Sequence, residues 1–171
     1  MLIGFTGKAG VGKDTAFGFI KEVYPEAQRF AFADPIRNAV QAAFPYIDFS
    51  KLSKEDMIPQ LGVTVRYLYQ TLGTEWGRDI IGPNCWILGL EEAYKLSDML
   101  VVTDVRFDNE AREIQRLGGV IVQILRPDAT RLTHRSELGV RFDYIEHVVI
   151  NHDTPEVFRN NILGAIKCIS T

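Results

Sequence analysis

Cysteine is scarce. Cys85 and Cys168 are the only two in 171 residues, and their spacing fits neither a thiolate metal centre nor a disulfide framework. Two free thiols in a reducing compartment are expected. The three histidines, His134, His147 and His152, have no metal-binding spacing, and none pairs with a serine or cysteine in a recognisable nucleophilic arrangement. Long apolar runs are missing too. No stretch approaches the ~18 residues of a membrane-spanning helix. The opening Met1-Leu2-Ile3-Gly4-Phe5-Thr6 lacks the basic start and extended apolar core of a secretory signal. A cytoplasmic protein without membrane contact is the expectation. The net charge is only −3, which supplies no overall field for nucleic acid or an acidic membrane. Any anion site must be built locally. Repeats and low-complexity tracts are absent as well.

Hydrophobic residues make up 46% and charged residues 24% of the chain, and the length suits one domain with a proper core. Apolar patterning alternates between short strands and amphipathic helices. Strands are expected at Leu2 to Thr6, Gln28 to Ala33, Met99 to Thr103, Val120 to Leu125 and His147 to Ile150. Helices are expected at Thr15 to Tyr24, from Pro35 to Phe44, at Thr64 to Leu72, Glu75 to Ile81, Asp108 to Leu117 and Pro155 to Ile169. Asn84 suits the cap of another, Cys85 to Leu96. Pro45 to Val63 is less regular. Strands alternating with helices imply an α/β fold around a mostly parallel sheet. Ligands of such sheets bind beyond the carboxyl ends of the strands.

At the first of those ends stands Gly7-Lys8-Ala9-Gly10-Val11-Gly12-Lys13, the GxxxxGK core of a P-loop. Glycines let successive N–H groups curl around phosphate oxygens. The helix that follows adds free N–H groups and the positive end of its dipole. Lys13 contributes a charge that can follow the β- and γ-phosphates. One feature departs from the usual pattern. The hydroxyl residue expected after the lysine is displaced by one, so Asp14 precedes Thr15. Either can serve the metal: Thr15 directly, Asp14 through water or as a helix-terminal carboxylate. A small kinase that uses ATP with Mg²⁺ is the expectation.

Asp104 and Arg106 follow the most strand-like run. A carboxylate there can hold Mg²⁺ through water, and Arg106 can reach a transferring phosphate. Arg126, Arg131 and Arg135 lie in a polar stretch that suits a lid over ATP; Arg126, nearest the strand, is placed for adenine or phosphate. On the acceptor side, Asp34 and Arg37 follow the second strand. Arg66 and Arg78 suit bidentate phosphate clamping. Gln70 and Glu75 suit a base edge, and Tyr67, Tyr69, Trp76 and Trp86 can stack on a base or fill core.

Together these segments resemble the phage and bacterial deoxynucleoside monophosphate kinases over nearly the whole chain. The carriers are GFTGKAGVGKDT, FADPIR, LYQTLGTEWGR with a following CW, TDVRFDNEA, GGVIVQILRP, HRSE and HVVINHDTPEVF. GTEWGR and DVRFDNEA are the specific blocks. The resemblance implies a P-loop NTPase fold of the nucleoside monophosphate kinase type, with a parallel five-stranded core sheet flanked by helices. It implies one domain over 1–171, with an acceptor-binding insertion at about 34–86 and a lid at about 126–144. The activity it implies is transfer from MgATP to a deoxynucleoside monophosphate (dNMP), giving a diphosphate. Gly7, Ala9, Gly10, Val11, Gly12, Lys13, Asp14, Thr15 and Arg126 would hold ATP. Lys13, Asp104, Arg106 and Arg131 would act at the transferring phosphate, with Thr15 and Asp104 at the metal. Asp34, Arg37, Arg66, Gln70, Glu75, Arg78 and Trp86 would face the acceptor. Asp34 either orients the acceptor or orders its helix. The resemblance leans towards a phage or other viral source, leaves room for a homodimer, and calls for no nucleic-acid partner. Animal-type phosphomevalonate kinases share the DVR block, and dephospho-coenzyme A kinases the fold class, so another phosphorylated acceptor is the nearest alternative. A non-catalytic nucleotide-binding regulator is a further one, which arginines in separate segments disfavour.

Overall fold

The computed structural model describes residues 1–127 and 139–170. Arg131, His134 and Arg135, and with them most of the expected lid, lie outside the described residues. Along the chain run β1 (Leu2–Thr6), α1 (Lys13–Val23), β2 (Gln28–Phe30), α2 (Asp34–Ala43), β3 (Met57–Ile58), β4 (Val63–Thr64), α3 (Val65–Gln70), a π-helix (Thr71–Ile81), α4 (Leu90–Lys95), β5 (Leu100–Val105), α5 (Asp108–Arg116), β6 (Val120–Leu125), β7 (His147–Ile150) and α6 (Pro155–Ile169). Met1–Ala31 and the chain from Gly89 onward form one compact unit; Phe32–Leu88 form a second.

In the first unit, five parallel strands pair in the order β2-β5-β1-β6-β7. Side chains alternate across a strand, and here both faces are covered. Ile3 and Phe5 of β1, Val101 of β5, and Val122 and Ile124 of β6 join one core with Ala16 and Ile20 of α1 and Phe158, Ile162 and Ile166 of α6. The intervening positions face the other way. There Gly4 is so close to Ile114 of α5 and to Ile121 that a β-carbon would come within 2.7 Å of either methyl. Near-continuous apolar strands are the signature of a sheet buried on both faces. β1 occupies the centre; the chain leaves it towards β2 on one side, and the later connection from β5 crosses to β6 on the other. That is the switch point at which such sheets bind ligands. The fold is therefore the α/β parallel five-stranded architecture expected.

The second unit has its own apolar cluster. Val40 of α2, Phe49, Ile58 of β3 and Val65 of α3 are buried together, with Phe44, Leu68, Tyr69 and Leu72 packed against them. The antiparallel pair β3–β4 falls in the stretch that lacked regular patterning; two-residue strands are too short to show a period. Thr64 caps α3 by accepting from Tyr67 N–H at 3.1 Å.

Two helical expectations need correction. Thr64 to Leu72 and Glu75 to Ile81 are not separate: α3 runs directly into the π-helix. The expected helix Cys85 to Leu96 exists only from Leu90. Residues before it form tight turns, with Cys85 N–H donating to Gly82 O at 3.1 Å and Ile87 N–H to Asn84 O at 3.0 Å. Cys85 and Trp86 are instead committed to carbonyls of the π-helix. Tertiary bonds override local helix preference here. β2 also ends at Phe30, short of the expected Ala33.

Ile162, wholly buried between α6 and the sheet, offers a direct check on this core. Ile162→Ala should cost about 2–5 kcal/mol, read as a lower urea midpoint with unchanged slope.

Candidate active site

The glycine loop follows β1 at the centre of the sheet. Gly7, Gly10 and Gly12 all have positive φ, of 137°, 77° and 103°, a region costly for any residue with a β-carbon. Space is as restrictive as angle. A β-carbon on Gly7 would lie 2.3 Å from the Ile124 carbonyl oxygen, and one on Gly12 would lie 2.9 Å from Asn151 Nδ2 and 3.1 Å from the Phe158 ring. The loop is held from behind as well. Asn151 Nδ2 donates to Val11 O at 2.9 Å, while the Val11 side chain is buried in the core. Lys13 curls back so that Nζ donates to Gly7 O at 2.7 Å and Lys8 O at 2.8 Å. Its ammonium thus sits against the loop at the N-terminus of α1, where the helix dipole already favours an anion. Gly10 and Lys8 are exposed, Ala9 half-buried, and Asp14 and Thr15 exposed on the first turn of α1.

β5 brings the second group to the same edge of the sheet. Asp104 is 8% exposed, at the point where the register between β1 and β5 shifts, between Gly4↔Val102 and Thr6↔Val105. Arg106 follows on a segment organised by one buried carboxylate. Glu110 Oε2 accepts from Arg106 N–H at 2.7 Å and Phe107 N–H at 3.1 Å, and Glu110 is 2% exposed. As the third residue of α5, it reaches back over the free N–H groups of the helix start, half of a capping box. Asp108 on the same turn accepts from Arg141 N–H and pairs with its guanidinium, both at 2.9 Å. DVRFDNEA thus forms a braced corner that fixes the Arg106 backbone, and this accounts for Asp108 and Glu110.

Arg126 is exposed just beyond β6. With Pro127, Asn151, His152 and Asp153 it lines a shallow polar recess, which Asn151 joins to the glycine loop. Loop, Thr15, Asp104, Arg106 and Arg126 therefore share the carboxyl edge of one sheet. Among the described residues no group of three or more His, Cys, Asp or Glu gathers as a protein-only metal cage. Thr15 and Asp104 offer the hard oxygens that suit Mg²⁺ bound together with phosphate.

The remaining expected site residues lie in the second unit. Asp34, in the first turn of α2, is ion-paired with Arg37. Arg66 is mostly buried and pairs through two nitrogens with Glu55; those bonds hold the Glu55 carboxyl below its usual range. Gln70 closes α3, and Glu75 is exposed on the π-helix. Arg78 is 7% exposed, with Nη1 donating to Pro83 O at 2.8 Å. Trp86 donates Nε1–H to Gly73 O at 2.8 Å and lies 6.4 Å from Trp76, ring centre to ring centre.

Sequence reasoning missed Asn151, Glu110, Glu55 and Arg29, the last 3.6 Å from Asp14. Glu110 left a signal: an acidic residue at the third position of a helix after a tight corner. Asn151 left none, because its role depends on a partner 140 positions away.

A family model described as deoxynucleotide monophosphate kinase matches residues 54–162, more than half of the chain. The chain belongs to the deoxynucleotide monophosphate kinase family. This family member is 30% identical, over 186 aligned positions, to a protein of Acanthamoeba polyphaga mimivirus assigned by inference as a deoxynucleotide monophosphate kinase. That alignment covers 97% of this chain and 96% of the viral one. It is 34% identical over 110 residues to the deoxynucleoside-5'-monophosphate kinase of Escherichia phage T5, covering 58% of this chain and 44% of that protein. Among solved structures, a dephospho-CoA kinase from Campylobacter jejuni matches 99% of this chain and 96% of its own, with a TM-score of 0.54 at 16% identity. That likeness shows the fold alone, a parallel α/β sheet flanked by helices. As a member of this family the chain is an enzyme, a phosphotransferase.

The Glu110 corner makes a checkable claim for this kinase. Glu110→Ala strands two N–H groups, one on each of two consecutive residues, and should cost about 1–3 kcal/mol along with turnover. A variant with wild-type stability and wild-type rate would show that the carboxylate neither caps α5 nor aims Arg106.

Proposed function

We propose that this kinase transfers the γ-phosphoryl group of ATP to the 5'-phosphate of a deoxynucleoside monophosphate, releasing ADP and a deoxynucleoside diphosphate. The observation that carries the reading is the Lys13 ammonium seated on a three-glycine loop at the start of α1, in a chain of this family. Loop N–H groups and Lys13 take the β- and γ-phosphates, and the recess of Arg126 and Asn151 takes the adenine end. Phe32–Leu88 supplies the acceptor residues, with Asp34, Arg37, Arg66, Gln70, Glu75, Arg78 and Trp86 as its set.

No enzyme nucleophile is needed. An oxygen of the acceptor phosphate, already anionic at neutral pH, bonds to the γ-phosphorus as the bond from that phosphorus to the β–γ bridging oxygen breaks. ADP leaves with the electron pair. The work of the protein is alignment, positive charge and exclusion of water. Arg106, fixed by Glu110, lies in the segment best placed to neutralise charge on the equatorial oxygens. Thr15 and Asp104 would hold Mg²⁺, which when bound neutralises the β- and γ-phosphates. Arg131 belongs to the same proposal as a lid arginine. A cytoplasmic setting belongs to the same proposal, because ATP and deoxynucleoside monophosphates occur there.

Purified protein with MgATP should form ADP and diphosphate product with one or more of dAMP, dGMP, dCMP and dTMP, followed by chromatography. Product from phosphomevalonate alone would replace the acceptor, and ADP without any acceptor would sink the transfer. Lys13→Ala and Arg106→Ala should each lower kcat about a hundredfold or more, with the protein still folded. ATP binding that survives Arg106→Ala while turnover is lost separates a kinase from a mere nucleotide binder.

A further inference from the structure

Thr71–Ile81 is π-helical over its whole length, whereas π geometry usually occurs as single-turn bulges within α-helices. The turn at residues 82–86 supplies what holds it. Gly82 N–H donates to Gly77 O at 2.9 Å, the i→i+5 bond of this helix type. Cys85 Sγ donates to the same oxygen at 3.1 Å, and burial pushes that thiol up, so it keeps its proton. Arg78 holds Pro83 O, and the Trp86 indole N–H holds Gly73 O. The indole also lies flat against the helix. A β-carbon on Gly77 would come within 2.5 Å of Trp86 Nε1 and Cζ2. The ring fits because position 77 carries no side chain.

The register redirects the exposed residues. An α-helix advances about 100° per residue, whereas i→i+5 bonding with roughly 4.4 residues per turn gives about 82°. Counted from Gln70, where α3 ends, an α-helix would put Glu75 about 140° and Asp79 about 180° around the axis. In π geometry the same residues stand about 50° and 20° away. Arg66, one α-turn earlier, is already on that side. Arg66, Gln70, Glu75 and Asp79 thus form one polar stripe. Gly73 and Gly77 are buried on another side of the helix, about 115° and 145° from Gln70, while buried Thr74 and Arg78 border the stripe on the Arg66 side. In an α-helix the two carboxylates would turn away from Gln70.

We propose that Gly77 and Trp86 are positioning residues that lock residues 71–81 in π register, and that this register builds the acceptor-recognition stripe by adding Glu75 and Asp79 to Arg66 and Gln70. The carboxylates accept from nucleobase N–H groups, and Arg66 and Gln70 offer donors to oxygens. The inference rests on the proposed assignment of the acceptor to Phe32–Leu88.

The test is steady-state kinetics of the full chain with MgATP and each of the four dNMPs, on G77A, W86F, the double variant, Q70A and E75Q. G77A pushes the indole away, and W86F removes its N–H donor while keeping an aromatic ring. Each should raise the dNMP KM about fivefold to tenfold, the worth of a lost hydrogen bond. For G77A, the KM for ATP and kcat at saturating dNMP should hold within about twofold. Because both changes break one lock, the double variant should be no worse than the worse single. An unchanged dNMP KM in G77A, or effects that multiply in the double, overturns the lock. If Q70A and E75Q leave the dNMP KM alone, the acceptor assignment itself fails and takes this inference with it. If they raise it while G77A and W86F do not, only the lock fails. Should G77A not fold, C85A decides, since it removes another donor to the Gly77 carbonyl at a residue outside the acceptor set: a raised dNMP KM at unchanged kcat supports the lock, and an unchanged KM overturns it.

Discussion

The Ile124 carbonyl oxygen stands where a side chain on residue 7 would have to begin. This steric wall decides the shape of the nucleotide loop before any ligand is considered. The chain leaves β1 with β6 alongside it, and only a residue without a β-carbon can turn there. Once it has turned, Val11 drops its side chain into the core, Asn151 fastens the Val11 carbonyl, and Phe158 closes against Gly12. An anion cradle that must bind without reorganising needs this sort of rigidity. Its glycines serve close packing as much as flexibility.

Phe32–Leu88 is built on a different principle. Its apolar cluster is small, its strands are two residues long, and much of its order comes from side chains reaching backbone carbonyls. Trp86, Cys85 and Arg78 each bond to a carbonyl within this unit, and Glu55 stiffens Arg66. An acceptor site of the proposed kind, built on these bonds, would be re-cut by few substitutions, since each residue assigned to it is held by one or two neighbours. The sheet of the first unit, buried on both faces, tolerates far less.

Most of the sheet unit could be read in advance. Its three central strands, β1, β5 and β6, are mainly apolar runs, and β6, β7 and α6 have the bounds expected from patterning. The GxxxxGK spacing located the loop, and Asp104 was placed by its position at a strand end. The failures have physical causes. Cys85 to Leu96 looked helical because Asn84 is a good cap, yet Trp86 and Cys85 bond to Gly73 and Gly77, and no local pattern encodes that preference. The π register of 71–81 is equally silent in sequence: glycines at 73 and 77 four apart fit an α-helix as well. Glu110 and Asn151 were passed over because a buried carboxylate and a distant amide show their purpose only once their partners are in place.

The bond from Asn151 to Val11 also has a bearing on how the protein is made. The nucleotide cradle begins at residue 7, yet its last brace is contributed by residues 151 and 158, after every strand of the sheet has been synthesised. The glycine motif is synthesised before β7 and α6, so the ribosome must deliver those elements before the motif acquires its braces. The fixed form of the loop therefore arrives late, once residues 151 and 158 can reach Val11 and Gly12.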